Sequence, residues 1–136
     1  MTAAELKRRI AAGGLVRGTP PSRAEFLRAA RAAGLGAHAV DCRGAATKEE
    51  LLRRLAGALR FPEHFGMNLD ALHDSLTDLV MEGPKKGTAL LLEGFPGAGD
   101  SGRSRSRAWS RAILEVLEGA VRFLADRKLT LTVFVG

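Results

Sequence analysis

The 136-residue sequence predicts one α/β domain built on a small parallel sheet. Three observations point there. Helical patterns with capping signals alternate with short apolar runs along the chain. One run, Thr88 to Glu93 (TALLLE), is nearly all apolar, as suits a strand covered on both faces. The runs are separated by helices rather than tight turns, and parallel strands need such crossovers.

The elements follow in order. Thr2 to Ala12 reads as a short amphipathic helix stopped by Gly13-Gly14, and Leu15-Val16 as a short strand. Pro20-Pro21-Ser22 breaks the chain. Ser22 caps a helix through about Ala33, with Glu25 completing a capping box, and Gly34 and Gly36 end it. Ala37 to Val40 is a strand, closed by Asp41-Cys42-Arg43-Gly44. Thr47-x-x-Glu50 is a second capping box, opening a helix with Leu51, Leu52, Leu55 and Leu59 on one face until Pro62 stops it. Asn68 caps a helix over 68–82, whose Leu69, Leu72, Leu76, Leu79 and Val80 recur at helical spacing. Gly83 to Gly87 is a turn, 88–93 a strand, and Gly94 to Gly102 a loop. A long helix from about Ser104 to Arg127 and a strand over 129–135 close the chain. Strands 37–41, 88–93 and 129–135 make a sheet of three. The unit over 15–33 would add a fourth.

Charge is distributed unevenly. Residues 1–60 hold 12 Lys+Arg against 5 Asp+Glu, and residues 84–136 hold 9 against 5. Residues 61–83 hold no cation and five acids: Glu63, Asp70, Asp74, Asp78 and Glu82. The last four are spaced i, i+4, i+8 and i+12, so they follow one side of the helix, opposite its leucines. An ordinary solvated helix face has such a pattern. So does a rigid acidic ridge for a cationic partner.

The same stretch, FPEHFGMNLDALHDSLTDL over residues 61–79, resembles the signature of the barstar family of ribonuclease inhibitors. That signature runs Phe/Leu-Pro, an aromatic pair, Gly-x-Asn, then a Leu/Trp-Asp-Ala-Leu-x-Asp-x-Leu-Thr helix. The flanking DCRGAATKEELLRRLAGALR and TALLLEG match as well. The resemblance covers residues 37–136 and leaves 1–36 as an N-terminal extension of a helix and a β-α unit. It implies a parallel sheet of three strands packed with helices, no enzymatic activity and no cofactor. It implies occlusion of a nuclease active site, with Asp74 the principal mimic of an RNA phosphate and Asp70 a second anion. His64, Gly66, Asn68, His73, Thr77 and Asp78 would complete the partner surface. His64 and His73 stand where the family usually has aromatics, and Asp78 where it often has a small residue. The family's acidic contact on the last helix falls near Arg122 or Phe123 and is not carried over. Family inhibitors are commonly acidic, whereas this chain has a formal charge of +6 and a sequence pI near 10.4.

Other readings are weaker. Gly97-Ala98-Gly99-Asp100-Ser101-Gly102 is a literal G-x-G-x-x-G, but Gly94-Phe95-Pro96 separates it from its strand and no later acid is placed to hold a ribose. A loop is the better reading. Arg103, Arg105 and Arg107 before Trp109 raise a basic nucleic-acid-binding domain as the runner-up, with direct nucleic-acid binding disfavoured by their scatter. An immunity protein against a toxin nuclease would use the acidic surface in the same way. His73, Asp74 and Ser75 are consecutive on a helix, so their side chains fan out and form no relay. The three histidines and Cys42 lack metal-ligand spacing. Cys42 reads as a small strand-end residue. The expected setting is cytoplasmic, with no membrane span or secretory signal, and the expected free state is a monomer.

Overall fold

The computed structural model describes residues 1–97 and 108–136 of the chain. The elements run α1 (Ala3–Ala12), β1 (Gly14–Arg17), α2 (Arg23–Ala32), β2 (Gly36–Asp41), α3 (Lys48–Ala58), α4 (Leu69–Glu82), β3 (Gly87–Glu93), α5 (Ala108–Ala125) and β4 (Thr130–Val135). The four strands form one parallel sheet in the order β1-β4-β3-β2. The expected three-stranded sheet is present, and the N-terminal unit does add the fourth strand. The start expected for the last helix, at Ser104, lies outside the described residues. So do the motif from Ala98 to Gly102 and the three arginines at 103, 105 and 107.

The path of the chain fixes which face each helix covers. From β1 to β2 the chain crosses the whole sheet, while β2 to β3 and β3 to β4 step back the other way. Crossovers of one hand that run in opposite directions must pass over opposite faces. Accordingly α2, with α1 beside it, covers one face, and α3, α4 and α5 cover the other. Strand alternation divides the core to match. Leu90, Leu92, Leu131, Val133 and Val135 face the three-helix layer. Ala89, Leu91 and Phe134 face the α1/α2 layer, where they meet Leu6, Ile10, Phe26, Ala30 and Leu35. The Phe26 ring meets Phe134 edge to face, with centroids 5.3 Å apart. Thr132 points to the same side, and its hydroxyl donates to the Ile10 carbonyl. Residues 1–35 thus supply both an edge strand and the cover for one sheet face.

Helix starts agree with the sequence. Thr2, Ser22, Thr47 and Asn68 each accept a backbone N–H from three residues on. At α3 the returning Glu50 carboxylate accepts from Ala46 rather than from the cap residue itself, and it also pairs with Arg54. One helix end differs. α3 does not run to Pro62 but closes at Leu59, with Arg60 in the left-handed region (φ 55°) and the Phe61 amide donating to the Ala56 carbonyl. That is a Schellman closure with arginine where glycine is usual. Gly87 illustrates a different constraint. Its φ is 130°, and a Cβ there would lie 1.8 Å from the Thr130 carbonyl oxygen, so β3 can begin beside β4 only with glycine.

Candidate functional site

The acidic helix α4 is held from below. Leu72, Leu76 and Val80 are buried in the three-helix layer, and Leu69 and Leu79 pack against it. Its N-terminus is set by a compact turn. Phe65 donates its amide to the Pro62 carbonyl, and the Phe61 and Phe65 rings meet at a tilt of 49° with centroids 5.2 Å apart. Met67 then takes a left-handed conformation (φ 51°), which costs a non-glycine residue roughly 1–2 kcal/mol. Asn68 fastens this turn at both ends. Its Oδ1 accepts from the Ala71 amide at 2.8 Å, and its Nδ2 donates to the Gly66 carbonyl at 3.2 Å. A Cβ on Gly66 would stand 3.0 Å from that same Nδ2, so glycine keeps the clasp closed. The loop before α4 and the first turn of α4 are therefore one rigid unit.

On the outer side of α4, Asp70, Asp74, Asp78 and Glu82 are all exposed. Successive acids are one helical turn apart, about 6 Å along the axis. The Asp74 side chain is 82% exposed. Among the described residues no Lys or Arg forms an ion pair with any of the four. Among the described residues, the basic group paired with one of them is His73, whose Nδ1 lies 3.7 Å from an Asp74 carboxylate oxygen. The ridge is thus open to cations from outside the molecule.

His64, Gly66 and Asn68 are exposed in the loop beside Asp70, and Asp78 continues the line. His73 is half-buried, and its ring meets the edge of Phe123 on α5 at 5.4 Å. Thr77 is different. It is only 4% exposed, and its hydroxyl donates back to the His73 and Asp74 carbonyls. That hydroxyl is spent inside α4, so Thr77 offers almost no surface to a partner.

Two neighbours of the site were not singled out from sequence. Met81, 43% exposed, emerges on the acid side of α4 beside Asp74 and Asp78. In the heptad-like pattern it simply falls outside the leucine stripe, and helical phase alone would have placed it there. Arg127 lies with its guanidinium 3.6 Å over the Phe123 ring and donates to the Phe123 carbonyl. The edge of the site formed by α5 therefore carries an aromatic ring topped by a cation. Residues 123 and 127 share the i, i+4 spacing of a helical turn, but no spacing rule joins either to His73, because that contact is set by how α5 docks on α4.

Among the described residues, no three His, Cys, Asp or Glu side chains gather where an ion could be held. Cys42 is buried, and burial pushes its thiol up to about 12, so it behaves as a small core residue. No helix among the described residues is long and apolar enough to cross a membrane.

The site is a capped, core-anchored helix with a clasped entry loop and an open line of carboxylates. The model of the Barstar (barnase inhibitor) family matches residues 36–136. The chain belongs to the barstar family. A comparison with curated proteins finds no match. The family match begins at Gly36, the first residue of β2, so α1, β1 and α2 lie outside it. The barstar-type sheet is β4-β3-β2 here, and the unmatched segment adds β1 to its β4 edge.

Proposed function

We propose that this chain inhibits a ribonuclease by inserting the α4 ridge into the enzyme's active site. One observation carries the reading. Asp70, Asp74 and Asp78 stand exposed, free of any Lys or Arg partner among the described residues, on a helix fixed by core packing and by the Asn68 clasp. Ribonuclease sites gather cationic groups to hold a phosphodiester. Carboxylates held in place lose little entropy on meeting those cations, and desolvated charge-assisted contacts are strong. Asp74 is the main phosphate mimic and Asp70 the second. His64, Gly66 and Asn68 border the first turn, His73 rests on Phe123 beside Asp74, and Asp78 extends the charge. Thr77 acts from within, keeping the turn of α4 that carries His73 and Asp74 in place.

The partner is a ribonuclease, bound as one protein by another, with the inhibitor itself supplying no catalysis and needing no cofactor. An immunity role against a toxin nuclease uses the same surface and differs only in which enzyme is met. Titration of the pure protein into a panel of microbial ribonucleases, following RNA cleavage, tests the reading. Loss of cleavage at a stoichiometric endpoint with at least one enzyme is the expected outcome.

A further inference from the structure

The layer opposite the acidic ridge carries the opposite charge. Residues 1–36 hold seven cations (Lys7, Arg8, Arg9, Arg17, Arg23, Arg28 and Arg31) against two acids, Glu5 and Glu25, a net of +5. All seven cations are exposed. Among the described residues only Arg23 has an ion-pair partner, Glu93. Helical phase brings several of the rest to one surface. α1 buries Leu6 and Ile10, and at about 100° per residue Arg8 points directly away from them. α2 buries Phe26 and Ala30, and Arg28 points away in the same manner. The two helices pack side by side on the same sheet face. Between them runs a groove of about 410 Å³, with Lys7 on one wall and Arg28 on the other.

We infer that the α1/α2 layer is a second docking surface, for the phosphate backbone of double-helical RNA. A phosphate backbone needs cations and access, and this face offers both. Four of the ten residues lining the groove are alanines, Ala3 and Ala4 from α1 and Ala29 and Ala32 from α2, and Glu25 is the one acid beside Lys7 and Arg28. The lining offers no large aromatic anchor of the kind that dominates protein interfaces. The one aromatic residue of the layer, Phe26, is fully buried, so no ring is available for unpaired bases to stack on. Contact is therefore with the backbone of a duplex, read by shape and charge. The choice of RNA over DNA rests on the inhibitor reading, since the enzyme that α4 would meet works on RNA. The binding itself does not depend on it. α4 lies on the other face of the sheet, so the two surfaces can be occupied together, and the layer would hold the inhibitor near the substrate its target attacks.

The test uses the full chain and an end-labelled RNA duplex of roughly 20 base pairs, with no nuclease present. About four phosphate contacts predict binding that weakens about 100-fold between about 50 and about 200 mM salt. Reversing Arg8 and Arg28 together to Glu should weaken binding at least about 10-fold and flatten the salt slope by about 2. A control with the same net charge, Arg53→Glu with Arg111→Glu on α3 and α5, should bind within about 3-fold of the unmodified protein. Both reversals are at exposed helix positions, and circular dichroism confirms that each variant is folded. No binding at the lower salt, an equal loss in both variants, or tighter binding to a DNA duplex of the same length would overturn the inference. Inhibition measured on the Arg8/Arg28 variant reads the α4 surface separately, so failure of one surface is not failure of the other.

Discussion

Removing residues 1–35 should cost a large share of the domain's stability, although the family match begins only at Gly36. The deletion strips α1, β1 and α2 and leaves β2, β3 and β4 with one face bare. Ala89, Leu91 and Phe134, each at most 2% exposed, would meet water. Burying a Leu or Phe side chain is worth about 1.5–3 kcal/mol and a methyl about 0.8, so uncovering the three costs roughly 4–7 kcal/mol. Domains of this size have about 5–15 kcal/mol in all. Losing β1 also turns β4, with its Thr130-Leu131-Thr132-Val133-Phe134-Val135 run, into an exposed sheet edge, an invitation to edge-to-edge aggregation. The assay is urea unfolding of full-length and truncated protein by circular dichroism, with sedimentation to follow association. A truncated chain that stays monomeric and unfolds within about 1 kcal/mol of the full protein would refute the reasoning, because it would mean that α1 and α2 cover nothing the fold needs.

Single substitutions extend the account. Phe26→Ala should destabilise by about 3–5 kcal/mol through the cavity left against Phe134, read in the same denaturant assay, without altering the α4 ridge. Asn68→Ala should cost about 1 kcal/mol of stability by opening the cap, and should weaken inhibition further by releasing the Gly66 loop; equal affinity with lower stability would show that the clasp plays no part in binding. Acid unfolding should report Asp41, whose carboxyl is held down at about 2 by hydrogen bonds from the Arg43 side chain and backbone. A depressed folded-state value stabilises above the unfolded one, near 3.8, and that contribution is lost as pH falls toward 2; Asp41→Asn should therefore lower stability at neutral pH, where the carboxylate contributes, and leave it little changed at the acid limit, where the carboxyl is already protonated. Association with a basic nuclease should be slow and only weakly weakened, or even accelerated, by salt, because the +6 chain is repelled at long range and attracted only at the ridge; steep slowing by salt in stopped flow would count against this.

Much of the fold could be read from the sequence because its signals are local. Caps at Ser22, Thr47 and Asn68 and the apolar run over 88–93 each act within a few residues, and each appears where expected. The end of α2 was legible through Gly34, which takes the left-handed closing position (φ 82°). The closures at Arg60 and Lys128 use the same geometry without glycine, so no residue type announces them. At the site, the acid line followed from i, i+4 spacing. The burial of Thr77 did not, because it depends on tertiary packing, and neither did the His73–Phe123 contact, which joins residues 50 positions apart through helix packing. The covering of the second sheet face was equally hidden, since only the strand order shows that the first crossover must pass on the side away from α3, α4 and α5.

The central claim is that α4 presents Asp74 to a nuclease as a substitute phosphate. Its most direct test is inhibition of RNA cleavage by the unmodified protein and by Asp74→Ala, side by side, against any ribonuclease that the unmodified protein inhibits. Asp74 is exposed and bonds no Lys or Arg of its own chain among the described residues, so its removal should leave the fold intact. Leaving the enzyme's cations desolvated without a partner should cost about 2–5 kcal/mol, a range drawn from charge pairs at protein interfaces, the barnase–barstar pair among them. That corresponds to an inhibition constant weakened by roughly 30-fold to several thousand-fold. Inhibition by Asp74→Ala as tight as that of the unmodified protein would contradict the claim.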